Sequence, residues 1–221
     1  MGAIVISIGG SVIVPDNIDS AYVKEFCNMI KEKNRRFVIV AGGGSTGRKY
    51  IEAAKEIGVS VKDGLDWVGI RATRINAELL RAGLAEISNK DILQDYDRID
   101  FKKDVVVVGG GWKPGFSTDY CAVAAAKLTG AKRVINITDI DHVYDKDPDK
   151  FPDAKPIKEI KWDEMLKLVG DEWNPGLHMP FDPIASKEAA ESGIEVIIIN
   201  KEIGNLSNCI DKKEFKGTVI S

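Results

Sequence analysis

Cysteine and histidine are scarce in this chain of 221 residues, which has three cysteines and two histidines. The cysteines, Cys27, Cys121 and Cys209, are far apart, and the chain holds no C-x-x-C pair. Disulfide frameworks and structural zinc sites need such residues in pairs at short, regular spacing. The sequence therefore argues against both kinds of scaffold, and no residue is assigned to a metal site. A reducing cytoplasm is the expected compartment.

Long apolar runs and a strong excess of one charge are also absent. The longest unbroken apolar run, Tyr120 to Ala126, is far shorter than the ~20 residues of a membrane helix. Residues 1–10 lack a basic region followed by an apolar core, so we expect no signal peptide. Lysine and arginine number 31 against 34 acidic residues, a net charge of -3. This balance predicts no nucleic-acid partner and no membrane partner.

Short apolar runs alternate with longer amphipathic stretches along the whole chain. The apolar runs are Ala3–Ile8, Phe37–Ala41, Val105–Val108, Arg133–Ile137 and Glu195–Ile199. The amphipathic stretches are Ala21–Lys33, Gly47–Ile57, Trp67–Ile87, Thr118–Leu128 and Pro183–Ser192. Apolar runs of this length are typical of strands buried on both faces. The alternation therefore predicts an α/β domain with a mainly parallel sheet.

Three of the expected strands run directly into glycines. These loops are Gly9-Gly10-Ser11, Gly42-Gly43-Gly44 and Gly109-Gly110-Gly111. Ligands of open α/β sheets bind beyond the carboxyl ends of the strands, and glycine lets backbone N–H groups approach a phosphate closely. Any single loop is explained equally well as a structural turn. Three at one edge predict a polyphosphate or two phosphorylated ligands.

The middle loop fits one well-known nucleotide motif and fails another. Residues 42–47 satisfy G-x-G-x-x-G, and Asp63 lies about 20 residues further on, as in dinucleotide-binding domains. That fingerprint normally follows the first strand, whereas this one follows the second. Arg48 and Lys49 stand where a P-loop requires Lys and then Ser or Thr, which excludes a P-loop. A dinucleotide-binding domain remains an alternative.

A polar segment from Asp139 to Pro156 is the longest stretch of loop character. Counting from Asp145, alternate aspartates occupy positions one, three and five, as in a calcium-binding loop. However, Lys150 stands at the glycine position and Pro156 at the glutamate position, which excludes an EF-hand. Long loops in compact domains are often functional, so ligand binding and a simple solvated loop both remain open here.

Five segments taken together resemble a known family. They are residues 7–11 (SIGGS), 42–51 (GGGSTGRKYI), 114–119 (PGFSTD), 138–148 (TDIDHVYDKDP) and 217–220 (GTVI). In order and spacing they are similar to the amino acid kinase superfamily, and within it to the archaeal type of UMP kinase. The resemblance implies a three-layer α/β/α sandwich in one domain, with an acceptor-binding lobe at about 1–130 and an ATP-binding lobe at about 131–221. It also implies ATP-dependent phosphorylation of UMP to UDP with Mg²⁺, usually in a homohexamer, within pyrimidine nucleotide synthesis.

The resemblance also assigns residues to each substrate. ATP is expected against Ser7, Ile8, Gly9, Gly10, Ser11, Gly44, Arg48, Thr138, Tyr144 and Asp147. UMP is expected against Gly43, Asp66, Trp112, Lys113, Pro114, Gly115, Phe116, Ser117 and Thr118. Asp119, Arg48 and Lys187 are expected to take part in phosphoryl transfer. Two simpler explanations stay open: Asp119 could only cap the helix that follows it, and Lys187 could be a solvated helix lysine.

Several positions depart from the family pattern. Ser7 stands where many superfamily kinases have lysine, although archaeal UMP kinases often lack that lysine. His142 replaces a glycine, which would strain the chain if that position needs a positive φ. Trp112, Lys113 and the segment 174–180 are also unusual. These departures keep a kinase of the same superfamily acting on another small phosphate or carboxylate as an alternative.

Overall fold

The computed structural model describes residues 2–99, 105–146, 148, 150–169 and 180–221. Asp147 and most of the unusual segment 174–180 lie outside the described residues. The strands are β1 (Ile4–Ile8), β2 (Phe37–Ala41), β3 (Val106–Gly109), β4 (Arg133–Thr138), β5 (Val143–Tyr144), β6 (Pro156–Ile157), β7 (Glu159–Ile160), β8 (Glu195–Asn200) and β9 (Thr218–Ile220). The helices are α1 (Gly10–Ile13), α2 (Ser20–Glu32), α3 (Gly44–Glu56), α4 (Lys62–Gly83), α5 (Thr118–Thr129), α6 (Trp162–Val169), α7 (Pro183–Glu191) and α8 (Ile203–Ile210).

Seven of these strands form one sheet in the order β3-β2-β1-β4-β8-β9-β7. The five strands from β3 to β8 are parallel neighbours, β9 pairs antiparallel with β8, and β7 pairs parallel with β9. Strands β5 and β6 pair separately. The prediction of a mainly parallel sheet is therefore confirmed, and the five predicted strands match observed ones to within one residue at each end.

Successive side chains of a strand point to opposite faces of the sheet, so apolar strands give the sheet two apolar faces. Helices cover both of these faces. On one face, Ile6 of β1 belongs to a core that includes Phe26 of α2 and Leu80 of α4. On the other face, Val5 belongs to a core that includes α5 and Met165 of α6. The expected three-layer α/β/α sandwich is confirmed. Within the described residues, no helix is long and apolar enough to cross a membrane.

The strand order places a crevice beside β1. From β1 the chain moves to β2 on one side, whereas β4 lies on the other side. Ligands of open α/β sheets bind at such a switch, outside the carboxyl ends of the strands. The glycine loops after β1 and β2 and the end of β4 all lie at this edge.

Candidate active site

The first two glycine loops are in direct backbone contact. A Cβ added to Gly10 would lie 1.9 Å from the Gly44 nitrogen, and one added to Gly42 would lie 2.4 Å from the Gly10 nitrogen. Gly44 also has φ +62°, a conformation that side chains other than glycine rarely adopt. Glycine is thus required here by the close approach of the two loops, and this approach brings the ends of β1 and β2 together.

Some backbone N–H groups have no hydrogen-bond partner in the described residues where the second glycine loop leads into helix α3. The Gly9 N–H donates to Ile137 O of β4 at 2.8 Å, which fixes the first loop to the sheet. By contrast, the N–H groups of Gly43 and Gly44 meet no hydrogen-bond acceptor in the described parts of the chain. Unpaired N–H groups at the start of a helix favour a bound anion.

Helix α4 binds the second and third glycine loops through polar side chains. Thr73 Oγ1 accepts from the Gly111 N–H at 2.6 Å, and Arg74 donates to Gly111 O at 3.1 Å and to Trp112 O at 2.9 Å. Asn76 donates to Gly42 O at 2.8 Å and to Gly43 O at 3.1 Å.

None of these three α4 residues was predicted from the sequence as part of the site. A usable signal was present, because Thr73 and Asn76 lie three positions apart on the helix face that also buries Ile70, Ala77 and Leu80. Polar side chains on a buried helix face need partners, and here the partners are the glycine loops.

Asp119 lies on α5 beside the end of β1. Its carboxylate accepts from the Ser7 hydroxyl at 2.9 Å and from the Asp182 N–H at 3.3 Å. Ser117, not Asp119, caps helix α5, because the Ser117 hydroxyl accepts from the Tyr120 N–H at 3.1 Å. Asp119 is therefore not the N-cap residue, although it lies in the first turn of α5.

Burial raises the pKa of Asp119 to about 6, and the nearby Asp182 carboxylate adds to the increase. The Ser7 hydroxyl and the Asp182 N–H act in the opposite direction. A carboxylate held in this way lacks a cationic partner among the groups that set its pKa. Perturbed carboxylates of this kind are typical of functional sites, although structural networks also produce them.

Asp182 is a second buried carboxylate at the same place, and sequence reasoning missed it. One of its oxygens accepts from the Ala185 N–H at 2.6 Å and caps α7. The other oxygen is buried without a hydrogen-bond partner in the described residues. Burial raises the pKa of this carboxyl too. An Asp-Pro pair at the start of a helix was the available signal, since Pro favours the first helical position.

Arg48 lies at the outer rim of the glycine loops. Its guanidinium is exposed and lies 3.4 Å from both the Ser11 hydroxyl and Pro15 O. An open cleft beside it is lined by Ser11, Val12, Pro15, Asp16, Arg48, Asp139 and Lys201. The structure therefore brings Arg48 and Ser11 together, as the sequence predicts for the donor side, and adds Lys201.

Lys187 is not brought to this cluster. It lies exposed on α7 and forms no hydrogen bond or ion pair with any other described residue. It is also absent from the groups that shift the pKa of Asp119. Its part in catalysis stays a prediction.

The expected acceptor segment faces α4. Asp66 lies in the second turn of α4, which begins at Lys62 instead of Trp67, and its carboxylate accepts from the Gly115 N–H at 2.9 Å. The Trp112 and Phe116 rings lie 5.5 Å apart, and Lys113 Nζ lies 3.9 Å from the centre of the Trp112 ring. Pro114, Ser117 and Thr118 complete this segment, which runs into the start of α5. Asp66 and residues 112–118 are thus brought together.

The segment that is expected to bind the adenosine of ATP follows β4. Thr138 ends that strand, and its hydroxyl donates to Asp139 at 3.0 Å. The Tyr144 hydroxyl donates to Asp141 at 2.8 Å, and Lys216 Nζ lies 2.5 Å from the same carboxylate. Hydrogen bonding from Lys216 lowers the pKa of Asp141 to about 2. His142 is buried and does not have a positive φ, so its replacement of glycine causes no backbone strain.

Comparison with known proteins agrees with this geometry. Residues 2–200 match the amino acid kinase family. A uridylate kinase of Thermoplasma volcanium is 36% identical, with 96% of this chain and 94% of that protein covered. A uridylate kinase of Methanobrevibacter smithii is 33% identical over 99% of both chains. The crystal structure of uridylate kinase from Archaeoglobus fulgidus superimposes with a TM-score of 0.86 and 30% identity over the full length of both chains.

The family match covers β1 to β8, the glycine loops and four of the five segments that the sequence analysis singled out, and it ends before residues 217–220. It leaves no place for a separate dinucleotide-binding domain, because residues 42–47 form the second loop of the matched fold. The chain belongs to the amino acid kinase family.

Proposed function

We propose that this protein catalyses ATP-dependent phosphorylation of UMP to UDP, a step of pyrimidine nucleotide synthesis. The observation that carries the proposal is the near-full-length similarity to uridylate kinases from several archaea. The local geometry supports it, since two unpaired N–H groups, Asp119 and Arg48 surround the carboxyl ends of β1 and β2.

Phosphoryl transfer between two anions depends mainly on positioning and on neutralising charge. In the proposal, residues 7–11, Gly44 and Arg48 hold the phosphates of ATP. Gly43, Asp66 and residues 112–118 hold UMP. The acceptor lobe then corresponds to about residues 1–130 and the donor lobe to about residues 131–221. The acceptor oxygen belongs to a phosphate that is already anionic, so no general base is needed.

Asp119 organises the site from behind the first glycine loop. Its carboxylate holds the Ser7 hydroxyl and the Asp182 N–H, and therefore orients the end of β1 relative to α7. Arg48 supplies positive charge on the donor side, and Lys187 is proposed to do so from α7. Guanidinium groups suit phosphates because they can form two parallel hydrogen bonds.

Mg²⁺ is proposed to enter with ATP. The described residues include no group of three or more carboxylate, histidine or cysteine side chains that could hold a metal ion. The ion is therefore assigned to the phosphates, where it would neutralise charge. The protein would contribute backbone N–H groups and Arg48 to the phosphates.

The donor nucleoside is assigned to the segment after β4. Thr138, Tyr144 and Asp147 are the proposed adenosine contacts. The half-buried Tyr144 ring is held through its hydroxyl by Asp141, so it offers a fixed flat surface to a base.

Self-association is also part of the proposal. Helix α4 presents an exposed stripe at four-residue spacing, with Trp67, Arg71, Ile75 and Leu79 on one line. Ile75 is 63% exposed, which is unusual for a large apolar side chain at the middle of a long helix. We assign this stripe to contact with a second copy within a hexamer. Light scattering after gel filtration tests it: Ile75→Glu should yield a smaller assembly, and a wild-type monomer would contradict it.

Coupled measurement of ADP release tests the reaction itself. The acceptors to compare are UMP, CMP, AMP, GMP, dUMP and isopentenyl phosphate, each at several concentrations with ATP and Mg²⁺. We expect the highest kcat/KM with UMP. If another acceptor were preferred, the assignment as a kinase would stand and the assignment of UMP as the acceptor would be wrong. If none of the acceptors led to ADP release, the proposed function would be wrong.

A further inference from the structure

Asn76 is a buried amide at the meeting point of α4 and the second glycine loop. It is 4% exposed, and its amide nitrogen lies 2.8 Å from Gly42 O and 3.1 Å from Gly43 O. Both neighbours are carbonyl oxygens, so the group facing them has to be the donating nitrogen of the amide. One side chain therefore holds two successive peptide groups.

This contact fixes the direction of two backbone donors. In a trans peptide the N–H points away from the C=O of the same peptide group, and the described chain contains no cis peptide. Gly42 O shares its peptide with the Gly43 N–H, and Gly43 O shares its peptide with the Gly44 N–H. By holding both carbonyls on the α4 side, Asn76 turns both N–H groups away from α4. These are the two N–H groups that meet no acceptor in the described chain.

We propose that Asn76 is a positioning residue for phosphoryl transfer, because it aims the Gly43 and Gly44 N–H groups at the phosphates of the two substrates. The inference rests on the proposed function, in which Gly43 serves the acceptor and Gly44 serves the donor. Glycine has no side chain to restrict these peptides, so their orientation depends on outside contacts. Asn76 supplies that restriction for Gly42 O and shares it at Gly43 O with the Gly47 N–H, which donates at 3.1 Å.

Asn76→Asp is the most direct test, since it removes the donating nitrogen with almost no change in size. Two carbonyl oxygens then face a carboxylate oxygen. The Gly42 carbonyl loses its donor, and the Gly43 carbonyl keeps only the Gly47 N–H. We expect kcat to fall by about 10²-fold, the scale seen when a preorganised backbone-type donor is lost. The dissociation constants of ATP alone and of UMP alone, measured by calorimetry, should each rise by about tenfold.

Asn89→Asp is the matched control. The Asn89 amide also donates to two backbone carbonyls, Asp91 O at 2.6 Å and Val108 O at 3.1 Å, but it holds no glycine of the second loop. We expect a lower melting temperature with kcat within about threefold of wild type. Should Asn76→Asp fail to fold, Asn76→Ser keeps one short donor, and its two dissociation constants should still rise.

The outcomes separate this inference from the proposed function. A folded Asn76 variant with near-wild-type kcat and ligand affinities would overturn the positioning role. Equal loss of activity in the Asn89 control would also overturn it, because any lost amide would then have the same effect. If the wild type prefers another acceptor, only the UMP assignment fails, and ATP binding still decides the role of Asn76. A wild type that binds no ATP would overturn both.

Discussion

Two carboxylates near the carboxyl edge of the sheet, Asp119 and Asp141, are held in opposite ways. Among the described residues, Asp119 has only a hydroxyl and a backbone N–H as hydrogen-bond partners, and burial raises its pKa to about 6. Asp141 is paired with Lys216 and with the Tyr144 hydroxyl, and its pKa is lowered to about 2. The ionised form is thus destabilised by its surroundings at Asp119 and stabilised at Asp141.

The difference indicates which carboxylate is ready for a ligand. Asp141 has its cation already, so its interactions are complete within the protein and fix the Tyr144 side chain. Asp119 lies beside a crevice with little compensation, which proteins rarely maintain without a functional reason. Bound cationic groups, or Mg²⁺ carried by ATP, would favour its ionised form.

The largest effect that tests this contrast is expected from Asp119→Asn. Asparagine keeps the size of the side chain and removes the charge, so kcat should fall by roughly 10²-fold or more. The melting temperature at neutral pH should not fall, because the buried ionised carboxylate that is removed destabilises the folded state. Steady-state kinetics and thermal melts measure both. Near-normal kcat would refute the catalytic role. Asp141→Asn is the matched control: it should lower the melting temperature and raise the KM for ATP through Tyr144, with little change in kcat.

Arg48→Ala should be the next largest loss. The guanidinium is proposed to contact the transferring or terminal phosphate, so its removal should lower kcat by about 10²-fold, and Arg48→Lys should cause a smaller decrease. In the structure Arg48 is exposed, and its two contacts of 3.4 Å contribute little to folding. A fully active Arg48→Ala enzyme would mean that this residue is only a surface arginine.

Asp66→Ala should have a smaller and more selective effect. Its carboxylate holds the Gly115 N–H, and so it supports the acceptor segment as well as the proposed contact with UMP. We expect the KM for UMP to rise by about tenfold, the scale of one lost hydrogen bond to a charged group. The KM for ATP should change much less. If only the KM for ATP changed, the assignment of Asp66 to the UMP site would be wrong.

The smallest effect concerns stability against pH, and here the two carboxylates should act with opposite signs. The folded-state pKa of Asp119 lies above its ordinary value of 3.8, so its protonation adds stability as pH falls from about 6 to 4. The folded-state pKa of Asp141 lies below that value, so its stabilisation is present above about pH 4 and is lost as pH falls towards 2. Melting temperatures of wild type minus those of each Asn variant, measured across this pH range, should show these two slopes. Slopes of the same sign would contradict the assignment.

The elements with a strong apolar pattern were the ones that the sequence predicted well. The five buried strands follow from runs of β-branched residues, and they agree with the structure to within one residue at each end. Four of the five predicted helices, all except α4, agree to within three residues. The short pieces β5, β6 and β7 have only two residues each, too few to show a period. Helix α4 begins at Lys62, five residues before the predicted start. Its N-cap residue is Val61, which has no capping side chain, so the sequence gives no signal for this start.

The site was predictable where glycine or a motif marked it and unpredictable where a contact was long-range. The glycine loops and the pairing of Asp66 with the 112–118 segment were expected from the resemblance. Asp182 and Asn76 were not, because their partners lie 63 and more than 30 positions away along the chain. Only the folded sheet brings these residues together.

The contact between Gly10 and Gly44 has a consequence for sequence change in this protein. There is no room for even one methyl group at either position, since a Cβ at Gly10 would meet Gly44 N at 1.9 Å and one at Gly44 would meet Gly10 O at 2.4 Å. A complete scan of single substitutions should therefore find both positions intolerant to every replacement, including alanine. Gly204 offers a contrast, because nothing lies within 4 Å of a Cβ there.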